Sequence, residues 1–220
     1  MGSFSVVIPA LDEEANIERA VRSADGAEVI VADAGSSDGT VKKAKALGAK
    51  VISAKKGRGA QMDEGAKVAT GDVLIFLHAD ARLPGGWAKD VSSAIERGFQ
   101  AGMFSLGIDA KGFSYRLIEF GANLRARALK IAYGDQALFV TRQAFTDAGG
   151  FNGLPIMEDL ELIKRLKKAK TLCILKEAVT VSPRRWQRDG VLKRTLRNWG
   201  LFIDYFFRRD AAALYKRYYS

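Results

Sequence analysis

Val73-Leu-Ile-Phe-Leu-His-Ala-Asp80 is a continuous apolar run that stops at a histidine and an acid separated by one residue. A run this short, entered through Gly71-Asp72, reads as a strand over residues 73–77, covered on both faces in a parallel sheet. Ligands of open α/β sheets bind beyond the carboxyl ends of the strands, so His78 and Asp80 are expected to point into a site. Asp80 is then placed to hold a metal. The same position would also suit a plain cap on the next helix or turn.

The flanking sequence repeats the pattern. Residues 4–8 form an apolar run ended by Pro9, and Ile17, Ala20, Val21 and Ala24 follow at helical spacing. Residues 29–32 and 51–53 predict two further strands. Val41, Ala44 and Leu47 mark one intervening helix, and Met62, Ala66 and Ala69 another. Strands alternating with short helices imply right-handed crossovers and an α/β fold, with a mostly parallel central sheet flanked by helices.

Each strand end carries a chemically loaded loop. In Pro9-Ala-Leu-Asp-Glu-Glu14, Asp12 is positioned to cap the next helix, and the glutamates suit its positive end. In Asp33-Ala-Gly-Ser-Ser-Asp-Gly-Thr40, Ser37 or Asp38 reads as an N-cap, which leaves Asp33 for a ligand. Lys55-Lys-Gly-Arg-Gly59 is cationic and flexible, suited to a diphosphate or to a solvated turn.

With 220 residues, 48% of them hydrophobic, the chain can bury one full core, with or without an appendage. Its single cysteine, Cys173, excludes an intramolecular disulfide framework and fits a reducing compartment. The N-terminus enters a strand directly, and neither a secretory leader nor a membrane span is expected. A net charge of +10 implies anionic partners without choosing among nucleotide, lipid and nucleic acid.

Taken in order, Ser5-Val-Val-Ile-Pro-Ala-Leu-Asp-Glu-Glu14, Val29-Ile-Val-Ala-Asp-Ala-Gly-Ser-Ser-Asp-Gly-Thr40 and Leu74-Ile-Phe-Leu-His-Ala-Asp80 resemble glycosyltransferase family 2, enzymes of the GT-A (Rossmann-like) fold. Gly149-Gly-Phe151 and Met157-Glu-Asp-Leu-Glu-Leu162 continue the resemblance, which covers roughly residues 4–170. It is strongest to small, single-domain bacterial-type members carrying Gly57-Arg-Gly-Ala-Gln-Met62, Leu77-His-Ala-Asp80 and Gly134-Asp-Gln136.

The resemblance implies inverting transfer of a sugar from a UDP- or GDP-type donor to an acceptor hydroxyl. Pro9, Asp12 and Glu14 would line the nucleoside pocket, and Asp33 would bond base or ribose, with Arg58 and Gln61 also on the nucleotide sugar. Asp80 matches the last acid of the family's Asp-x-Asp motif, which holds a divalent metal, Mn2+ or Mg2+. His78 stands where the first acid is expected. An imidazole ligand would favour manganese, and a sugar or packing contact is the other reading of His78. Glu158 and Asp159 match the family's acidic pair, from which Asp159 is chosen as general base. Gly134, Asp135 and Gln136 are placed on the acceptor side, with Asp135 as the second candidate base.

A domain of residues 1–183 followed by a basic amphipathic helical tail, 184–220, completes the expected organisation. The tail holds ten basic residues against three acidic, a net +7. Leu192, Leu196, Trp199, Ile203 and Phe206 recur at helical spacing, which suits an anionic membrane surface, the domain itself or a second subunit. Membrane attachment would suit a lipid-linked acceptor and a peripheral cytoplasmic location. Arg184-Arg-Trp186 resembles part of the Gln-x-x-Arg-Trp motif of processive members, but Ser182 replaces the glutamine. A second basic amphipathic pattern, residues 113–131, reads as a core helix or a cover for the acceptor cleft. Two alternatives stand beside transfer: nucleotide-sugar binding without catalysis, and nucleotidyl transfer. Gly57-Arg-Gly59 lacks the third glycine of a dinucleotide fingerprint, and nucleic-acid binding would rest on charge alone.

Overall fold

The computed structural model describes residues 2–131, 133–151, 157–168 and 171–208, and the side chains of 199, 201–203 and 205–208 lie outside that description. In chain order the elements are β1 (Phe4–Ala10), α1 (Ile17–Ser23), β2 (Glu28–Asp33), α2 (Thr40–Ala46), β3 (Lys50–Ser53), α3 (Arg58–Val68), β4 (Val73–Phe76), β5 (Ala81–Arg82), α4 (Trp87–Glu96) and β6 (Ala101–Ile108). Then follow α5 (Phe113–Leu129), a 3-10 turn (Gly134–Gln136), β7 (Leu138–Thr141), α6 (Arg142–Asp147), α7 (Glu158–Lys168), β8 (Leu172–Val181), α8 (Arg184–Asp189) and α9 (Val191–Arg208).

One mixed sheet runs β3-β2-β1-β4-β7-β6-β8-β5. Its first four strands are parallel, and β7 enters antiparallel between β4 and β6. β1 continues through Pro9 to Ala10, beyond the stop expected at the proline. Its pairing with β4 ends at Val7, so the missing N–H of Pro9 interrupts no bond on that side. Burial is complete on both faces of β4, as the unbroken apolar run predicts. Val6, Ile8, Val31, Ile75 and Phe104 fill one layer, and Val7, Ile30, Leu74, Phe76 and Phe151 the other. Helix α3 crosses β1 so closely that a Cβ on Gly65 would lie 2.3 Å from Val7, which requires glycine there.

Helix α5 is not a core helix. Beyond Met103, where β7 has ended, Asn123 accepts from Leu106 N and donates to Leu106 O, and Glu119 accepts from Ile108 N. Those bonds fix the rotation of α5, turning Ala122 and Ala126 inward and leaving Leu117, Phe120 and Leu124 exposed.

Candidate active site

At the C-terminal ends of β1 and β2 the loops are sewn to each other. Asp12, at φ 52°, accepts from Ser37 N at 2.8 Å, Glu13 N donates to Thr40 Oγ1, and Glu14 accepts from Gly39 N at 3.0 Å. Asp12 therefore does not cap α1, whose first residue, Ile17, lies too far along the chain. Asp38 bonds Thr40 N rather than serving as the N-cap of α2, which is Gly39. Asp33 turns onto its own loop, accepting from Gly35 N and Ser36 N at 2.9 Å each. Gln61 is buried and donates to Ala10 O and Ala32 O, both at 2.8 Å. Its amide protons are thereby engaged, so Gln61 braces the floor beneath the loops. Pro9 lies in β1, paired with Ala32.

A cavity opens where β4 ends, lined by Arg58, His78, Asp80, Tyr133, Gly134, Asp135, Met157 and Asp159, with Ser182, Arg185, Trp186, Arg194 and Asn198 closing it from the C-terminal side. A Cβ on Gly134 would lie 2.8 Å from His78 Nε2 and 3.1 Å from Asp159 Oδ2, so glycine keeps a small cradle between those two groups. Asp159 Oδ2 accepts from Gly134 N and its Oδ1 from Leu160 N. Met157, at φ 60°, holds a strained conformation just before α7, which aims the Glu158–Asp159 pair. The pair divides: Asp159 faces the cavity, while Glu158, 1% exposed, pairs with Arg58 Nε at 3.0 Å outside its lining. Gln136 is also buried away from the cavity, donating to Phe104 O.

Burial, helped by Asp159, pushes Glu158 up to about 7 despite Arg58. Burial likewise pushes Asp135 up to about 6, Arg125 opposing and Asp159 assisting. A carboxyl raised in the folded state contributes stability that is full below its unfolded pKa and lost as pH rises through the folded one. These two carboxyls should therefore make thermal stability fall between pH 5 and 8, with the depressed His78 opposing them below about pH 6.5. Melting curves across that window should be flatter for Glu158→Gln, and an unchanged slope would assign the dependence elsewhere.

His78 is driven down to about 3, first by burial and then by Arg58, so its imidazole is neutral and available as a ligand. Asp80 stays below the usual carboxylate range although burial opposes this, because Arg185 and Arg184 lie against it. Arg184 Nη2 is 3.2 Å and Arg185 Nε 3.8 Å from Asp80 Oδ2, and Arg184 also pairs with Glu13. Among the described residues no three His, Cys, Asp or Glu side chains form a complete metal cage. A neutral imidazole and a carboxylate on one cavity wall still fit a divalent ion whose remaining ligands are diphosphate oxygens.

The contribution of Ser182, Arg185, Trp186, Arg194 and Asn198 was not legible as a site in the sequence. Arg184-Arg-Trp186 was the available signal. The expected boundary at 183/184 falls inside this cavity wall, and Trp186 is buried with its Nε1 unpartnered. Of the expected stripe, Leu192 and Leu196 are exposed, and the side chains of Trp199, Ile203 and Phe206 lie outside the described residues.

The profile of Glycosyl transferase family 2 matches residues 5–154, more than half of the chain. The chain belongs to glycosyl transferase family 2. Within the family it is similar to glucosyl-3-phosphoglycerate synthase of Mycobacterium tuberculosis, at 37% identity over a 97-residue alignment that covers 37% of this chain and 30% of that protein. The match thus spans less than a third of the length of that relative. The crystal structure of the mycobacterial synthase with Mn2+, UDP and glucosyl-3-phosphoglycerate superposes at TM-score 0.54 and 25% identity, covering 82% of this chain and 70% of that one. S. aureus TarS, residues 1–349, superposes at TM-score 0.64 with 19% identity, over 82% of this chain and 61% of that one, and establishes the shared GT-A fold. Asp80 of this family 2 chain lies just beyond the C-terminal end of β4, the end of the sheet at which ligands of open α/β folds bind.

Proposed function

We propose that the protein is an inverting glycosyltransferase that moves a sugar from a nucleoside diphosphate to an acceptor hydroxyl with the help of a divalent metal. The observation that carries this reading is the convergence of His78, Asp80, Arg58, Arg185, Asp159 and Asp135 on one cavity at the end of β4. The mycobacterial synthase, described with Mn2+ or Mg2+, UDP and UDP-glucose, supports a UDP-type donor.

His78 and Asp80 would hold the metal, which supplies Lewis-acid stabilisation of the departing diphosphate. Arg58 and Arg185 add fixed positive charge at the same wall, strongest where water is excluded. Arg184 and Arg185 lie against Asp80 and are placed to turn toward diphosphate oxygens. Asp12, Glu14 and Asp33 frame the nucleoside end, with Pro9 beneath them. Asp159, fixed by two backbone N–H groups, takes the proton of the acceptor hydroxyl as it attacks the anomeric carbon opposite the leaving group. Asp135 is the second candidate, but its unpartnered Oδ1 is shielded from solvent. Gly134 shapes the acceptor side, with Gln136 bracing the turn from beneath.

The basic C-terminal segment supports a peripheral location on the cytoplasmic face of a membrane and a lipid-linked acceptor. No helix among the described residues is long and apolar enough to cross one. A nucleotide-sugar-binding role without transfer is the second reading, favoured by the arginine pair lying on Asp80.

The test is incubation with UDP- and GDP-sugars plus Mn2+, following nucleoside diphosphate release and, by NMR, the anomer formed. Release with inversion is expected. Binding that raises thermal stability with no release from any donor, acceptor panels included, would favour the second reading.

A further inference from the structure

Helix α5 leaves most of its large apolar side chains uncovered. An amphipathic helix ordinarily turns its large apolar side chains to the core. Here the inward face is Ala122 and Ala126, the partly buried Tyr115 and Ile118, and the hydrogen-bonding side chains of Asn123 and Glu119. Phe113, Leu117, Phe120 and Leu124, spaced four, three and four residues apart, form the outward face at 83%, 59%, 66% and 56% exposure. Helix α9 packs alongside and exposes Leu192 and Leu196.

The surrounding charge is basic. Lys111, Arg127 and Lys193 are exposed, and the only acid of α5, Glu119, is bonded to Arg116 and Ile108 N. The tail's own charge is less available than its composition suggests: Arg194 and Arg197 are turned onto Asp189 at 3.2 and 2.9 Å. At roughly 200 Å2 per large apolar side chain, the α5 stripe exposes on the order of 500 Å2 of apolar surface, the size of patch that marks an interaction site. A copy of this chain, itself +10, would repel it, whereas an anionic surface would attract it.

We propose that the Phe113–Leu117–Phe120–Leu124 face of α5 lies in the interface of an anionic membrane and is the principal element by which this protein docks there. Basic residues draw the helix to the surface, and the phenylalanines and leucines enter it. The C-terminal end of α5 leads to the cavity, since Arg125 stacks over Tyr133 at 4.3 Å and Tyr133 lines the wall. Docking through α5 thus sets the cavity beside the lipid headgroups, and the acceptor class that fits is a lipid-borne hydroxyl. That last step rests on the transfer reading; the docking itself does not.

The experiment is flotation of the full chain with phosphatidylcholine vesicles, with and without phosphatidylglycerol, at low and high salt. Binding is expected only with the anionic lipid, weakened by salt, and lowered about tenfold or more by Phe113→Ser with Phe120→Ser. UDP binding by that variant should be unchanged, which keeps a failure of docking separate from a failure of the transfer reading and shows that the variant is folded. An environment-sensitive dye on Ser114→Cys should shift to the blue on anionic vesicles. Undiminished binding by the double variant, absence of binding at low salt, no dye shift, or a dimer that the variant dissolves would each overturn the proposal.

Discussion

Replacing Asp159 by Asn should lower sugar transfer by about 100-fold or more while leaving nucleotide affinity nearly unchanged, because a positioned base acts only in the transition state. The substitution retains shape, and the amide oxygen can still accept from Gly134 N, so the cradle beside His78 survives. What is lost is the ability to take a proton. Single-turnover rates with saturating donor and acceptor provide the measurement. Asp135→Asn should cost far less. If the two effects were reversed, the base would be Asp135, whose raised pKa would then show as a rate that rises with pH through about 6. Glu158→Gln should lower turnover least of the three, since Glu158 holds Arg58 from outside the cavity.

That division between Glu158 and Asp159 marks the limit of what the sequence discloses. Adjacent acids at a helix start look equivalent in one dimension. Only the backbone at Met157 decides which of them faces the cavity. The β-α alternation was legible because apolar periodicity reports burial directly, and the Val73–Phe76 strand and the loops after β1 and β2 lie where that pattern puts them. Gln61 was misleading for a physical reason: a polar residue in a Gly-rich loop motif looks like a ligand contact, yet its two protons hold the carbonyls of Ala10 and Ala32. The pairing of Arg184 with both Asp80 and Glu13 is set by tertiary contacts 104 and 171 residues apart in sequence, a separation no local pattern encodes. The outward face of α5 escaped for the opposite reason, since an apolar stripe at helical spacing carries no sign of whether protein or something else will cover it.

Asp80→Ala should abolish the manganese dependence of UDP binding. In the intact protein the cavity wall presents a carboxylate that would repel a diphosphate, so tight binding requires a cation between them. Removing a metal ligand should weaken metal-supported affinity by at least about 100-fold, the upper end of what losing a mere supporting contact costs. The arginine pair makes the result more informative. Without Asp80, Arg184 and Arg185 lose the anion they now contact at 3.2 and 3.8 Å, and their charge becomes available to diphosphate directly. Calorimetric titration should therefore find weak UDP binding by the variant that is the same in Mn2+ and in EDTA, against strong metal dependence in the unaltered protein. Retained dependence on manganese would place the metal on other ligands. His78→Asp supplies the complementary case: exchanging a neutral imidazole for a carboxylate turns a nitrogen–oxygen donor pair into an oxygen pair, so UDP binding should persist while its preference moves from Mn2+ toward Mg2+. If affinity and metal preference both stay as they were, His78 is a packing residue against Gly134, and Asp80 alone anchors the ion.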